Sequence, residues 1–85
     1  MARFELVFKR SIAKDIRALE PIDVRRILQR IEKLAVDPRP KDSEKLSGQE
    51  RYRVRQGSLR ILYEIDDSQL VVTVVKIGHW RDVYR

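Results

Sequence analysis

Cysteine is absent from the 85-residue chain. That excludes disulfides and thiolate-bound metal. Histidine occurs once, and proline and glycine three times each. A single histidine leaves no His/Cys metal spacing, and neither a phosphate-binding Walker loop nor a Gly-x-Ser-x-Gly elbow is present. No repeat or low-complexity tract interrupts the chain. No stretch approaches the roughly 18 apolar residues of a membrane span. The opening MARFELVFKR alternates charge with apolar side chains and lacks the apolar run of a secretory signal. These absences predict a soluble, cytoplasmic protein with no metal, no cofactor and no membrane partner.

Positive charge is what the chain has in excess. Nineteen Lys and Arg stand against thirteen Asp and Glu, giving a formal net charge of +6. Such a balance attracts polyanions at long range and equally suits an acidic protein partner. It does not choose between RNA, DNA, a ribosome and an antagonist. The length predicts one domain over residues 1–85. A chain this short buries only about 60–65% of its unfolded surface, so its core must be simple.

Hydrophobic periodicity gives the element order. Phe4, Leu6 and Phe8 alternate with Arg3 and Glu5 and predict a strand over 3–8. Ile12, Ile16 and Leu19 share one face of a helix over 11–19. Glu20-Pro21 breaks it and opens a second helix over 21–36. There Val24, Ile27, Leu28, Ile31, Leu34 and Ala35 form the apolar stripe. Residues 37–50 read as a loop whose Leu46 turns back onto the core. Strands follow over 51–56, 59–65 and 70–77. The last, LVVTVVKI, is apolar on both faces and therefore central. Asp66 and Asp67 read as turn-formers. The prediction is an α+β domain of order βααβββ: a four-stranded, antiparallel-rich sheet with an α-helical hairpin packed on one face.

The pleat sorts side chains by function. Gly57-Ser58 suits a two-residue hairpin turn with glycine first. That turn sets Gln56 opposite Leu59, Arg55 opposite Arg60, Tyr52 opposite Tyr63 and Arg51 opposite Glu64. Tyr52, Val54, Ile61 and Tyr63 then face the helices, and Arg53, Arg55 and Arg60 cluster on the open side. Like charges directly opposite on a sheet destabilise it. An anion between Arg55 and Arg60 removes that repulsion, and guanidinium suits two-point binding of phosphate. After the central strand, His79 is the side chain whose unperturbed pKa lies near neutrality. Arg81 adds charge, and Trp80 and Tyr84 are rings suited to stacking on a base.

Taken together, the helix ending LAVDPRP, the KLSG before the second strand, the YRVRQGSLRILYEID hairpin and the terminal VVKIGHWRDVYR resemble the RelE/ParE toxin superfamily. The resemblance covers nearly the whole chain and is closest to the RelE branch. It implies a toxin of a type II toxin–antitoxin system that enters the ribosomal A site and cleaves the bound mRNA. It also implies an acidic, partly disordered, RelB-like antitoxin that wraps the toxin and alone contacts operator DNA. Arg53 and Arg55 stand where such toxins present basic residues, and Arg60 matches a basic position in LRILYEI. His79 and Arg81 fall in a GHxRxVY-like stretch, and Tyr84 matches the aromatic of its VY. The catalytic set expected is Arg55, Arg60, His79, Arg81 and Tyr84, with Arg51, Arg53 and Trp80 binding RNA. The expected chemistry is attack of a ribose 2′-hydroxyl on the adjacent phosphorus. Some RelE toxins carry lysines on the 51–56 strand; arginine there stays protonated and makes a poor base. Two alternatives share the fold: a ParE-like inhibitor of DNA gyrase, and a catalytically inactive RNA-binding relative.

Overall fold

The computed structural model describes residues 3–46, 48 and 50–83, with only the helical course of residues 82 and 83. Among the described residues, five strands and three helices follow in the order β1 (Glu5–Phe8), α1 (Ile12–Arg17), α2 (Pro21–Val36), β2 (Glu44–Lys45), β3 (Arg51–Gln56), β4 (Leu59–Asp66), β5 (Val71–His79) and α3 (Trp80–Val83). The strands form one sheet of order β1-β5-β4-β3-β2. β1 runs parallel to β5, and the other pairs are antiparallel. The α+β class and the antiparallel-rich sheet agree with the sequence reading. The strand count does not: the sheet has five strands rather than four, because Glu44–Lys45 pairs with β3 inside the segment read as loop.

The helices lie where their apolar stripes require. Pro21 opens α2 at its first turn, after an extended Glu20. Ile27, Ile31, Leu34 and Ala35 of α2 and Ile12 of α1 are buried. They pack on Val54, Leu59, Ile61, Tyr63, Val72, Val74 and Ile77 from β3, β4 and β5. Leu28 departs from the expected stripe: it is 42% exposed. It overhangs the four-residue edge strand β1, beside an equally exposed Phe8, where no further strand lies beneath it.

The opposite sheet face is left uncovered by α1 and α2 but is not wholly polar. Leu62 and Val75 are buried there with Leu46 packed against them. Val75 joins this small cluster through a register shift: Leu62 pairs with Lys76 and Tyr63 with Val74. β5 therefore serves both faces, as its unbroken apolar run requires. Both boundaries of β5 differ from the expected 70–77. Leu70 has φ +54 and lies outside β5. At the other end, Gly78 and His79 extend β5 beyond the expected Ile77, and α3 follows directly.

Two side-chain latches fix the frame. Tyr63 donates its buried hydroxyl to the Pro38 carbonyl at 2.7 Å, and burial pushes its pKa up to about 12. Arg39 donates two hydrogen bonds to Asp67, at 3.0 and 2.9 Å, and a third to the Tyr52 hydroxyl at 3.1 Å. The segment after α2 is thereby tied to the β4–β5 turn. The Asp67 carboxyl sits below its ordinary pKa because Arg39 holds it.

Candidate nucleic-acid interface

The register of the β3–β4 hairpin places the arginines. Gln56 pairs with Leu59, Arg55 with Arg60, Arg53 with Leu62 and Arg51 with Glu64, each as the alternation predicted. Leu59 and Ile61 are buried under the helices, so the Arg60 row must face the other way. Arg53, Arg55 and Arg60 thus share the open face.

Each arginine has a different local environment. Arg55 is exposed and directly opposite Arg60. Arg60 folds its guanidinium over the turn and donates to the Gly57 carbonyl at 3.3 Å and the Leu59 carbonyl at 3.1 Å. Arg51 is paired with Glu64 at 3.1 Å, which makes its row locally neutral. Arg53 forms an ion pair with Glu44 on β2, its direct cross-strand partner. The Glu44 carboxyl is held below its ordinary pKa, first by the hydrogen bond from Arg53 and then by the nearby charges of Arg53, Arg55 and Arg60. The positive field of the cluster therefore converges on one carboxylate.

The tail residues sit at the same end of the sheet, but not all on the same face. His79 pairs with Leu59, while Gly78 pairs with Arg60. The imidazole accordingly belongs to the helix-side row and not to the arginine row. It lines a cleft of about 260 Å³ with Lys14, Asp15, Leu19 and Lys76, and its Nδ1 lies 3.4 Å from the Ser58 hydroxyl. Trp80 begins α3, donates its backbone N–H to the Ser58 carbonyl at 3.3 Å and leaves its side chain 54% exposed. Arg81 is exposed on α3. Tyr84 lies outside the described residues. Structure thus brings Arg53, Arg55 and Arg60 together and sets His79, Trp80 and Arg81 around the hairpin end.

Two site residues escaped the sequence reading. Glu44 is invisible without β2, because a two-residue strand has no periodicity. Asp15 of α1 accepts the Ile77 backbone N–H at 3.0 Å and the Lys76 amine at 3.4 Å. Its side chain is only 9% exposed. It satisfies a β5 donor beyond the end of β1 and pins the segment that leads to His79. A signal existed: Asp15 lies three residues after the buried Ile12 and four before Leu19, so it faces inward.

Charge is polarised along the sheet. A cleft of about 580 Å³ at the opposite end is lined by Glu50, Glu64, Asp66 and Asp67 among others. It repels a polyanion, whereas the hairpin end attracts one. Among the described residues no helix is long and apolar enough to cross a membrane.

A small α+β domain with an arginine-bearing open sheet face and a short helix after the last strand defines a class of compact, basic modules. The chain belongs to the ParE toxin family of type II toxin–antitoxin systems (parDE), whose family model matches residues 6–84. It is thereby a type II toxin of the RelE/ParE superfamily. It is 28% identical over 87 residues to a protein of Methanocaldococcus jannaschii named as toxin RelE1, covering 98% of this chain and 97% of that one. The archaeal RelE–RelB complex from Pyrococcus horikoshii superposes with a TM-score of 0.81 at 25% identity, covering 93% of this chain and 96% of that chain. The toxin–antitoxin complex RelBE2 from Mycobacterium tuberculosis shares the fold, with a TM-score of 0.81 at 21% identity over 91% of this chain and 98% of that chain.

Proposed function

We propose that this toxin is an endoribonuclease that enters the ribosomal A site, cuts the bound mRNA and so stops translation in the cytoplasm. The observation that carries the reading is the Arg55–Arg60 pair: two arginines at directly opposed positions on an open sheet face, with Arg53 in the next row. Cutting RNA by 2′-hydroxyl attack needs alignment, charge stabilisation at phosphorus and proton transfer. Arg55 and Arg60 supply charge to the phosphorane, and Arg51, Arg53 and Arg81 hold the backbone. Trp80 offers a ring for stacking, and Tyr84 is the second aromatic candidate. His79 is a proton-transfer candidate at the sheet end. No metal or cofactor is required for this scheme.

The partner is an acidic, partly disordered antitoxin of the RelB kind. The two solved relatives above were complexes with their antitoxins. A net charge of +6 suits an acidic wrap. An apolar cleft of about 440 Å³, lined by Phe8, Ile12, Ile16 and Leu28 among others, gives such a wrap a second surface. Operator DNA is reached only through the antitoxin.

The test is to add purified toxin to programmed ribosomes with an occupied P site and map mRNA ends. New 5′-hydroxyl ends inside the A-site codon are expected. Intact message at high toxin concentration would remove the nuclease reading. A second reading has its own support, because the matching family model is that of ParE: the chain would then inhibit DNA gyrase. A supercoiling assay separates the two, since an RNA-cutting toxin leaves supercoiling unchanged.

A further inference from the structure

The arginine face holds the phosphate but lacks an evident proton acceptor. Arginine does not deprotonate at working pH. His79 lies in the helix-side row of the sheet, behind the Arg55–Arg60 row. Glu44 differs from both. It stands directly across from Arg53 and therefore projects to the arginine face. Its side chain is 53% exposed, open to an incoming ribose. On the same face, Glu64 is one row further from Arg60 and is engaged by Arg51, and Asp66 lies one row beyond Glu64.

We infer that Glu44 is the general base of RNA cleavage, taking the proton of the attacking 2′-hydroxyl while Arg53 holds its carboxylate beside the scissile phosphate. The inference rests on the nuclease reading above. The 2′-oxygen gives its proton to a Glu44 carboxylate oxygen and bonds to phosphorus. The bond from phosphorus to the 5′-oxygen then breaks. That oxygen takes a proton from solvent, and Glu44 returns its own to solvent. The products are a 2′,3′-cyclic phosphate and a 5′-hydroxyl, with no other reactant consumed. Guanidiniums clustered around Glu44 keep it ionised, ready to accept, across neutral pH. An arriving phosphate draws part of that positive field onto itself, which raises the basicity of the carboxylate when the substrate is in place.

Single-turnover cleavage on programmed ribosomes tests this with wild type, Glu44→Gln and Glu44→Asp. General bases contribute about 100- to 10,000-fold. Glu44→Gln is expected to slow cleavage at least about 100-fold while ribosome binding holds or tightens, because a negative charge has left a basic face. Glu44→Asp should recover part of the rate, and the acid limb of the pH–rate profile should vanish in Glu44→Gln. A substrate with a 5′-bridging sulfur, whose leaving group needs no acid, should not rescue Glu44→Gln. A Glu44→Gln protein that cuts as fast as wild type, or faster, overturns the assignment and makes Glu44 a mere competitor for the phosphate. Rescue by the sulfur substrate overturns it too, since Glu44 would then be the acid. If wild type itself leaves message intact, the nuclease reading fails and takes this assignment with it.

Discussion

Replacing Arg55 with glutamine should make the free protein more stable and a worse RNA binder at the same time. Arg53 and Glu44 neutralise each other beside it, so Arg60 is the neighbour left uncompensated across the strand. Cross-strand neighbours are about 5 Å apart. Two unit charges at that Cβ spacing in water repel by about 0.8 kcal/mol before screening, an upper bound because the Arg60 guanidinium is drawn back onto the Gly57 and Leu59 carbonyls. Screening leaves about 0.7 kcal/mol at 10 mM salt, about 0.4 at 150 mM and about 0.2 at 1 M. For a domain of this size about 0.2 kcal/mol corresponds to 1 °C. Arg55→Gln is therefore expected to raise Tm by up to about 4 °C at 10 mM salt. At 1 M salt the gain shrinks to about 1 °C. In parallel, the slope of log affinity against log salt for single-stranded RNA should shallow by about 0.7, the share of one phosphate contact. Thermal melts at three salt concentrations and a filter-binding titration suffice. A Tm that falls on substitution at low salt, or a gain that ignores salt, refutes the claim that Arg55 and Arg60 repel.

Tyr63→Phe keeps the ring under the helices but strands the Pro38 carbonyl. A lost buried hydrogen bond of this kind costs about 1–2 kcal/mol, read as a Tm about 5–10 °C lower; an unchanged melt would mean water replaces the hydroxyl. The carboxyls of Asp42, Glu44, Asp66 and Asp67 are held low by Arg30, Arg53, Ser68 and Arg39 respectively. A depressed carboxyl contributes stability that is present above its unfolded value of about 4 and lost as pH falls through the lower folded value. Tm should hold between pH 7 and 5, drop below about pH 4, and drop less steeply in Asp67→Asn; equal melts at pH 3 and pH 7 contradict this. Trp80→Ala removes an exposed ring and should change stability by less than about 0.5 kcal/mol. Its RNA affinity should fall by about 1–3 kcal/mol if the ring stacks on a base; an unaltered affinity removes Trp80 from the interface.

The parts legible in the sequence are those where one physical rule acts without competition. Period-two alternation and a two-residue turn with Gly57 at φ +60 fixed every pairing of the β3–β4 hairpin. Proline at the first turn fixed the start of α2. Legibility ended where an element is too short to carry a period. β2 has two residues and α3 has four, below the length at which local preference sustains a helix. Each forms because a neighbour supplies bonds: β3 to β2, and Ser58 to the first residue of α3. Leu28 failed for a different reason. A helix stripe says which residues share a face, not how far the sheet beneath it extends.

If the chain cuts RNA as proposed, the separation of His79 from the arginine row constrains how that RNA must lie. The row of Arg55, Arg60 and Gly78 and the row of Gln56, Leu59 and His79 are adjacent along the strands but project to opposite faces. A strand of RNA that touches both must bend around the Gly57–Ser58 end of the sheet. Down the open face it passes Arg53 and reaches the neutral Arg51–Glu64 row, beyond which Asp66 and Asp67 line an acidic cleft. Ser58 sits at the bend: its hydroxyl lies by the imidazole and its carbonyl receives the first N–H of α3. Asp15 holds the other side of the same corner by gripping β5 at Lys76 and Ile77. The hairpin tip is therefore the corner between the arginine face and the His79 edge, and its backbone geometry sets how far apart the two stand.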